Sequence, residues 1–321
     1  MSEGIAKVVR DIKKGRALDP ASNARADEPG LVNDLREVHK SLIMLATEFV
    51  CPVIDATPMY EQIVTAGPID LYGDFRMLPV WENALIGYEN EFGNVYIVQS
   101  YMIDKENHHW EKDDWVTETK PPYVWETPNE VDWASVRYRF IGVLWAGGRS
   151  QGRAALTMGP IYRWDIAANE DGTMADIRWS ALYDFGENDA ETVHQKTARA
   201  ESIHQNAMMV WLQTYTLAGC TNVELVTPQR PKPERKRLER LGVVPQTIVI
   251  KRTSKTYRHK ATDTKDVIDG VPQRFVRGHY ARYGPEYDRG LLFGKYAGKF
   301  WIPARAVGES DREIDYITDT A

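Results

Sequence analysis

Basic side chains are concentrated in one part of the 321-residue chain. Residues 228–305 contain 19 Lys and Arg against 7 Asp and Glu, a net charge of +12, whereas the remainder of the chain has a net charge of −18. A cluster of cations attracts polyanions, because each phosphate that it neutralises releases condensed counterions. This asymmetry predicts nucleic-acid binding through phosphate contacts. The alternative is that the basic part docks on the acidic part of the protein itself.

The densest group of cations is the run 232–240, where five basic residues occupy nine positions. This run predicts a short helix over 234–241 that ends at Gly242, and its charges would repel one another without a nearby anion. Strands are predicted at 246–252, 273–280 and 299–304. The candidate phosphate-binding residues are Arg235, Lys236, Arg237, Arg240, Lys251, Arg252, Arg274, Arg277 and Arg282, and the candidate base-stacking residues are Tyr280, Tyr283 and Trp301.

Two histidines in the same segment could perform acid–base chemistry on RNA. His279 or His259 would act as general acid or base, and Arg277 would stabilise the charge that develops on the phosphate in the transition state. A lone histidine beside a glycine is more often structural than catalytic. Binding is therefore the first hypothesis and metal-independent RNA cleavage an alternative. A third hypothesis makes the basic segment a self-assembly or partner-binding surface, which meets the acidic N-terminal part of another copy and has no role in nucleic-acid binding.

The sequence predicts neither a cofactor nor a metal. Cys51 and Cys220 are too few for a disulfide framework or for a four-cysteine zinc site. His108 and His109 are followed by acidic residues, but their spacing does not place ligands on one face. The glycine-rich run 146–153 lacks the Gly-Lys-Ser/Thr ending of a phosphate-binding P-loop.

Several of these motifs together resemble the C-terminal part of an uncharacterised protein family found in actinobacteria and in their phages and mobile elements. The motifs are the Arg-rich run 235–241, the sequence Val-Arg-Gly-His-Tyr at 276–280 and the closing Phe-Trp-Ile-Pro at 300–303. They fall within residues 230–305, roughly a quarter of the chain. The family has no assigned activity, so the resemblance implies a phage or mobile-element origin and no mechanism.

The remaining elements must position these groups. Apolar spacing predicts helices over 5–14, 31–49 and 189–218, and aromatic and β-branched runs predict strands at 94–101, 135–145 and 176–183. Eight of the ten Trp lie between residues 78 and 186, where their large apolar area favours a sheet core. We therefore predict an α+β protein with a helical N-terminal segment (1–77), a β-rich acidic domain with many aromatics (78–186) and a basic α+β module (187–321) built from a helix plus a small antiparallel sheet.

Composition and the pattern of apolar residues limit the classes of protein to which the chain can belong. With 43% hydrophobic and 27% charged residues, the chain is typical of a globular protein. No run approaches the roughly 18 apolar residues that a membrane span needs, and the first 14 residues lack a signal-peptide core. We expect a cytoplasmic protein, in the host cytoplasm if phage-encoded, with no membrane contact. Its expected partner is nucleic acid, DNA or RNA, and a second copy or a host protein is a further candidate.

Overall fold

The computed structural model describes residues 1–17, 29–48, 50–58, 60, 75–106, 131–148, 155–156, 161–183, 190–250, 274–276, 279–288, 290–292, 296–302 and 305–307. The principal helices are α1 (Glu3–Lys13), α2 (Pro29–Glu48), α3 (Ala190–Ala218) and α4 (Lys232–Glu239). The strands are β1 (Cys51–Asp55), β2 (Asn83–Glu89), β3 (Asn94–Asp104), β4 (Val136–Gly148), β5 (Ala155–Leu156), β6 (Ile161–Asn169), β7 (Met174–Tyr183), β8 (Val223–Val226), β9 (Val243–Ile250), β10 (Arg274–Val276), β11 (His279–Tyr283), β12 (Gly298–Ile302) and β13 (Arg305–Val307). The predicted α+β class is confirmed.

One large mixed sheet dominates the fold. Its strand order is β7-β6-β4-β3-β2-β1-β9-β8, and β5 pairs with β4. Strands β2 to β7 are antiparallel neighbours, whereas β1 is parallel to both β2 and β9. The sheet thus takes strands from each of the three predicted segments, and the domain boundaries themselves stay a prediction.

The predicted small C-terminal sheet is found only in part. The strand predicted at 246–252 is β9, which joins the large sheet because Cys51 to Ile54 of β1 pair with Val243 to Gln246. The single strand predicted at 273–280 is two strands: β10 pairs with β13, and β11 pairs with β12. The C-terminal part therefore contributes one strand pair to the large sheet and two separate antiparallel ribbons.

Alternating side chains divide the core between the two faces of the large sheet. In β3, Val95 and Ile97 face one cluster, which α1, α2 and Leu238 of α4 complete. Tyr96 and Val98 face the opposite cluster, which α3 completes together with Trp301 of β12. The period of two that a strand imposes on its side chains produces this three-layer arrangement.

Helix α1 begins at a side-chain cap and lies on the sheet by one apolar stripe. The Ser2 hydroxyl accepts a hydrogen bond from the Ile5 amide at 3.2 Å, which satisfies a donor that the helix leaves free. Ile5, Val8, Val9 and Ile12 are buried, at the spacing of one helical face. The stripe predicted from sequence is therefore the core face of α1.

Helix α3 buries an aromatic and hydrogen-bonded face against the other side of the sheet. Trp211 Nε1 donates to the Ser100 hydroxyl at 3.0 Å, and the Ser100 and Tyr215 hydroxyls are 3.0 Å apart. His204, also buried, packs edge-on against Trp164 with ring centroids 5.6 Å apart, as expected of a structural histidine.

In the described ranges, no helix combines the length and apolar character needed to cross a membrane.

Gly142 lies where Trp211 of α3 packs directly on the sheet, and this contact gives a stability prediction. A Cβ at this position would lie 2.8 Å from Cζ3 of Trp211 and 2.9 Å from Cε3 of Trp164. Gly142→Ala should lower the free energy of unfolding by about 1–3 kcal/mol, because both rings are fully buried and cannot move away freely. Urea unfolding measures this change. In a Trp211→Phe background the same methyl group should cost less, and strictly additive costs would contradict the assigned contact.

Candidate nucleic-acid interface

Two elements that carry predicted phosphate-binding and stacking residues, α4 and the β11–β12 ribbon, lie on opposite faces of the large sheet. Helix α4 lies on the α1 and α2 side, because Leu238 is buried in the same cluster as Val243. The β11–β12 ribbon lies on the α3 side, because Trp301 belongs to the opposite cluster. Of the described parts of the basic segment, α4 and the β11–β12 ribbon therefore lie against opposite faces of the sheet.

Helix α4 is positioned by one buried residue and by the glycine that follows it. Pro231 precedes the helix, and Leu238 is its one buried side chain. At the other end the Leu241 amide donates to the Leu238 carbonyl at 2.9 Å, and Gly242 adopts a left-handed conformation with φ of +63°. This turn leads directly into β9, so the orientation of α4 is set by the sheet.

Basic side chains surround a shallow groove between α4 and the end of α1. Its volume is about 470 Å³. Its lining residues are Lys14, Pro233, Lys236, Arg237, Arg240 and Leu241. The four cations among them are exposed to solvent. We call these four residues the groove cations.

The acidic residues of α4 are not paired with the groove cations. Glu234 forms an ion pair with Arg230, and Glu239 pairs with Arg235 at 3.5 Å. None of the groove cations forms an ion pair with any part of the chain that the structure describes. Because like charges repel, this arrangement favours a bound anion.

Lys14 directly follows the last residue of α1, and Gly15 turns the chain after it. The Lys14 amide donates to the Arg10 carbonyl at 3.0 Å, the Gly15 amide donates to the Ile12 carbonyl at 2.9 Å, and Gly15 has a φ of +61°. Basic residues at a helix C-terminus also complement the helix dipole, an effect of about 0.3–1 kcal/mol. Lys14 was missed in the sequence because it is far from the basic segment. The Lys-Lys-Gly run at a predicted helix end was the available signal.

All three predicted stacking rings contact other rings of the β11–β12 ribbon. Trp301 is only 6% exposed, and its ring centroid is 4.8 Å from that of Tyr280. Asn222 holds the Trp301 backbone with two hydrogen bonds of 3.0 Å. Tyr283 is half-buried and packs edge-on against Phe300. The predicted role for Trp301 in base stacking is therefore not supported by its position, because stacking requires an accessible ring.

Arg282 is exposed on β11, and its positive charge lowers the pKa of Asp171 in the β6–β7 turn. Burial raises the pKa of Asp171, but hydrogen bonds from Thr173 and the positive charges of Arg76 and Arg282 outweigh it and lower that pKa overall. Part of the Arg282 charge is therefore balanced within the protein, unlike the charge of the groove cations.

The candidate catalytic residues and the remaining candidate phosphate-binding residues are only partly placed. His279 lies in β11 and Arg274 in β10. Lys251, Arg252, His259 and Arg277 lie outside the described residues. The predicted arrangement of His279, His259 and Arg277 for RNA cleavage stays a hypothesis drawn from sequence.

Neither cysteine has the lowered pKa that an activated nucleophile needs. Cys51 and Cys220 are both free and buried. Burial raises the pKa of the Cys51 thiol, although Lys13 partly offsets this, and burial raises the pKa of Cys220 to about 12. Reactive cysteines have lowered pKa values, so these thiols are structural.

Within the described ranges, no group of three or more His, Cys, Asp and Glu side chains is arranged to hold a metal ion.

Comparisons of the chain with protein-family models, with curated proteins and with solved structures find no match.

Proposed function

We propose that this protein binds nucleic acid by its phosphate backbone, through the groove between α1 and α4. One observation supports this most directly: four exposed cations surround a groove of about 470 Å³, while the neighbouring acidic residues pair with other arginines. A groove that tracks a phosphate backbone needs cations whose charge is not already neutralised.

The groove favours phosphate contacts over base recognition. Its cations are lysines and arginines on a short helix and a helix end, and its two other lining residues are Pro233 and Leu241. Cations of this kind neutralise phosphates whatever the base sequence. We therefore propose sequence-independent binding, and we further propose that this binding serves a phage or mobile element.

Salt dependence tests the proposal. Fluorescence anisotropy with labelled duplex DNA should show affinity that falls roughly 100-fold between about 50 and 200 mM salt, because four phosphate contacts predict a log–log slope of about −3.6. Single-stranded DNA should give a shallower slope of about −2.8. No binding at low salt, or binding that does not change with salt, would contradict the proposed function.

A further inference from the structure

The hairpin that joins β2 to β3 exposes Phe92 at its tip. Phe92 is 76% exposed, the largest fraction among the exposed large apolar side chains of the described residues. The Asn90 side chain accepts from the Phe92 amide at 3.1 Å and from the Asn94 amide at 3.0 Å. The Gly93 amide donates to the Asn90 carbonyl at 2.9 Å, and Gly93 has a φ of +74°. Asn90 and Gly93 therefore supply the turn geometry, whereas the Phe92 ring serves neither the turn nor the core.

Three carboxylates lie at this tip. Exposed Glu91 precedes the phenylalanine, Glu89 ends β2, and exposed Glu3 begins α1. The start of α1 lies against the hairpin, because a Cβ on Gly4 would be 3.1 Å from Oε2 of Glu89. Within the residues that the structure describes, the three carboxylates form no ion pair, and the first basic residue of α1, Lys7, is one turn further along the helix. We call Glu3, Glu89, Glu91 and Phe92 the acidic tip.

The acidic tip and the groove lie at opposite ends of α1. Glu3 is the first residue of the helix, whereas Lys14, which lines the groove, follows its last residue. A helix of 11 residues is about 16 Å long. The pairing of β2 with β3 continues to Glu89 and Val95, so the hairpin is fixed to the sheet and does not reach the groove of its own chain. A tip that enters this groove must come from a second copy.

The two surfaces are complementary in charge and in apolar character. The groove has four cations that form no ion pair with the described residues, and its other lining residues are Pro233 and Leu241. Its volume of about 470 Å³ lies in the range of about 300–1,000 Å³ that is typical of clefts for small organic groups. An aromatic ring with apolar contacts contributes strongly to a protein interface, and opposite charges around it fix the orientation of the partners.

We propose that the acidic tip of one copy docks in the groove of a second copy, with Phe92 against Pro233 and Leu241 and the three carboxylates beside the groove cations. The contact joins two different surfaces, so a pair of copies leaves one tip and one groove free and association continues head to tail. This inference goes beyond the proposed function. It gives the self-assembly hypothesis two defined surfaces, and it gives the groove a second occupant that nucleic acid must displace.

Sedimentation velocity of the full chain tests this docking. The unmodified protein should associate with rising concentration at about 50 mM salt and dissociate at about 500 mM, where salt screens the charges. Glu91→Lys with Phe92→Ser, the tip variant, should associate at least about tenfold more weakly, and so should Lys236→Glu with Arg237→Glu, the groove variant. The matched control is Glu82→Lys, which changes an exposed carboxylate at the other end of β2 and should associate like the unmodified protein. Circular dichroism checks that all variants fold.

Mixing the two variants tests the head-to-tail geometry. The tip variant keeps an intact groove and the groove variant keeps an intact tip, so an equimolar mixture should form one-to-one dimers and nothing larger. A mixture that stays monomeric overturns the proposal. So does an unmodified protein that stays monomeric at about 50 mM salt, where charge attraction is strongest in this series. A loss of association in Glu82→Lys as large as that in the tip variant also overturns it, since overall charge would then explain both.

Binding of labelled duplex DNA separates this inference from the proposed function. The tip variant should bind the duplex at least as tightly as the unmodified protein, because its groove cations are unchanged. Adding the duplex to the unmodified protein should dissociate the assemblies, since both occupants need the same cations. DNA binding without self-association overturns the docking of the tip alone. Self-association without DNA binding supports the docking and contradicts the proposed function alone.

Discussion

Lys236→Glu combined with Arg237→Glu should weaken nucleic-acid binding about 100-fold at about 50 mM salt and roughly halve the salt-dependence slope. Both side chains line the groove and neither pairs with a described acidic residue. Each phosphate contact contributes about 0.9 to the slope of log affinity against log salt concentration, which raises the affinity roughly tenfold between about 1 M and about 50 mM salt. The loss of two contacts therefore predicts an affinity about 100-fold lower at about 50 mM salt. Anisotropy titrations over a salt series measure both quantities.

Helix α4 offers a matched control for this charge reversal. Arg235 has the same residue type as Arg237 and is also exposed, but it pairs with Glu239 and does not line the groove. We expect Arg237→Glu to reduce affinity about tenfold and Arg235→Glu to reduce it no more than about threefold. Equal losses would mean that α4 acts through its overall charge, and the groove would then not be the binding site.

Asp165→Asn should destabilise the protein by about 3–5 kcal/mol, because the carboxylate is the shared partner of two arginines inside the sheet layer. Asp165 is 1% exposed, accepts from Arg139 Nε at 2.9 Å and accepts from Arg163 Nε at 2.8 Å. The Arg139 side chain is 9% exposed, so Asp165→Asn removes the charge of an ion-pair partner from a buried guanidinium. Urea unfolding followed by circular dichroism measures the loss.

Two controls separate the ionic effect from a general effect of substitution. Asp132→Asn changes an exposed carboxylate that caps a turn by accepting from the Ala134 amide, and it should cost less than about 0.5 kcal/mol. Arg139→Met with Asp165→Leu removes both buried charges and should recover most of the stability, since a buried pair is often no better than apolar residues of similar volume. If Asp165→Asn is as mild as Asp132→Asn, the pair contributes little to stability.

Much of the local structure could be predicted from the sequence. The stripe in α1 and the strand pattern of β3 appear where the apolar spacing places them, because burial on one face imposes a period of 3.6 on a helix and two on a strand. The Pro and Gly residues that bound α4 likewise have local effects on the backbone. Each of these signals acts over a few residues, so no knowledge of distant pairing is needed.

The candidate site could be predicted only in part. The cations of α4 follow from charge and helical propensity. The contribution of Lys14 does not, because it depends on α1 lying beside α4 in the folded protein. The exposure of Tyr287 and the burial of Trp301 could not be distinguished either, since both are aromatic residues of the same hairpin. Only packing against the core decides which ring is accessible.

The sequence by itself determined the α+β class, the helical and strand periods, and the strong positive charge of residues 228–305. The tertiary structure decided where that charge lies. Because β9 pairs in parallel with β1, far away in the chain, helix α4 is placed beside α1, whereas the β11–β12 ribbon packs on the opposite face. Non-local strand pairing depends on the complementarity of whole surfaces and not on local spacing. The separation of α4 from the β11–β12 ribbon, which belong to the same basic segment, is therefore a property of the fold.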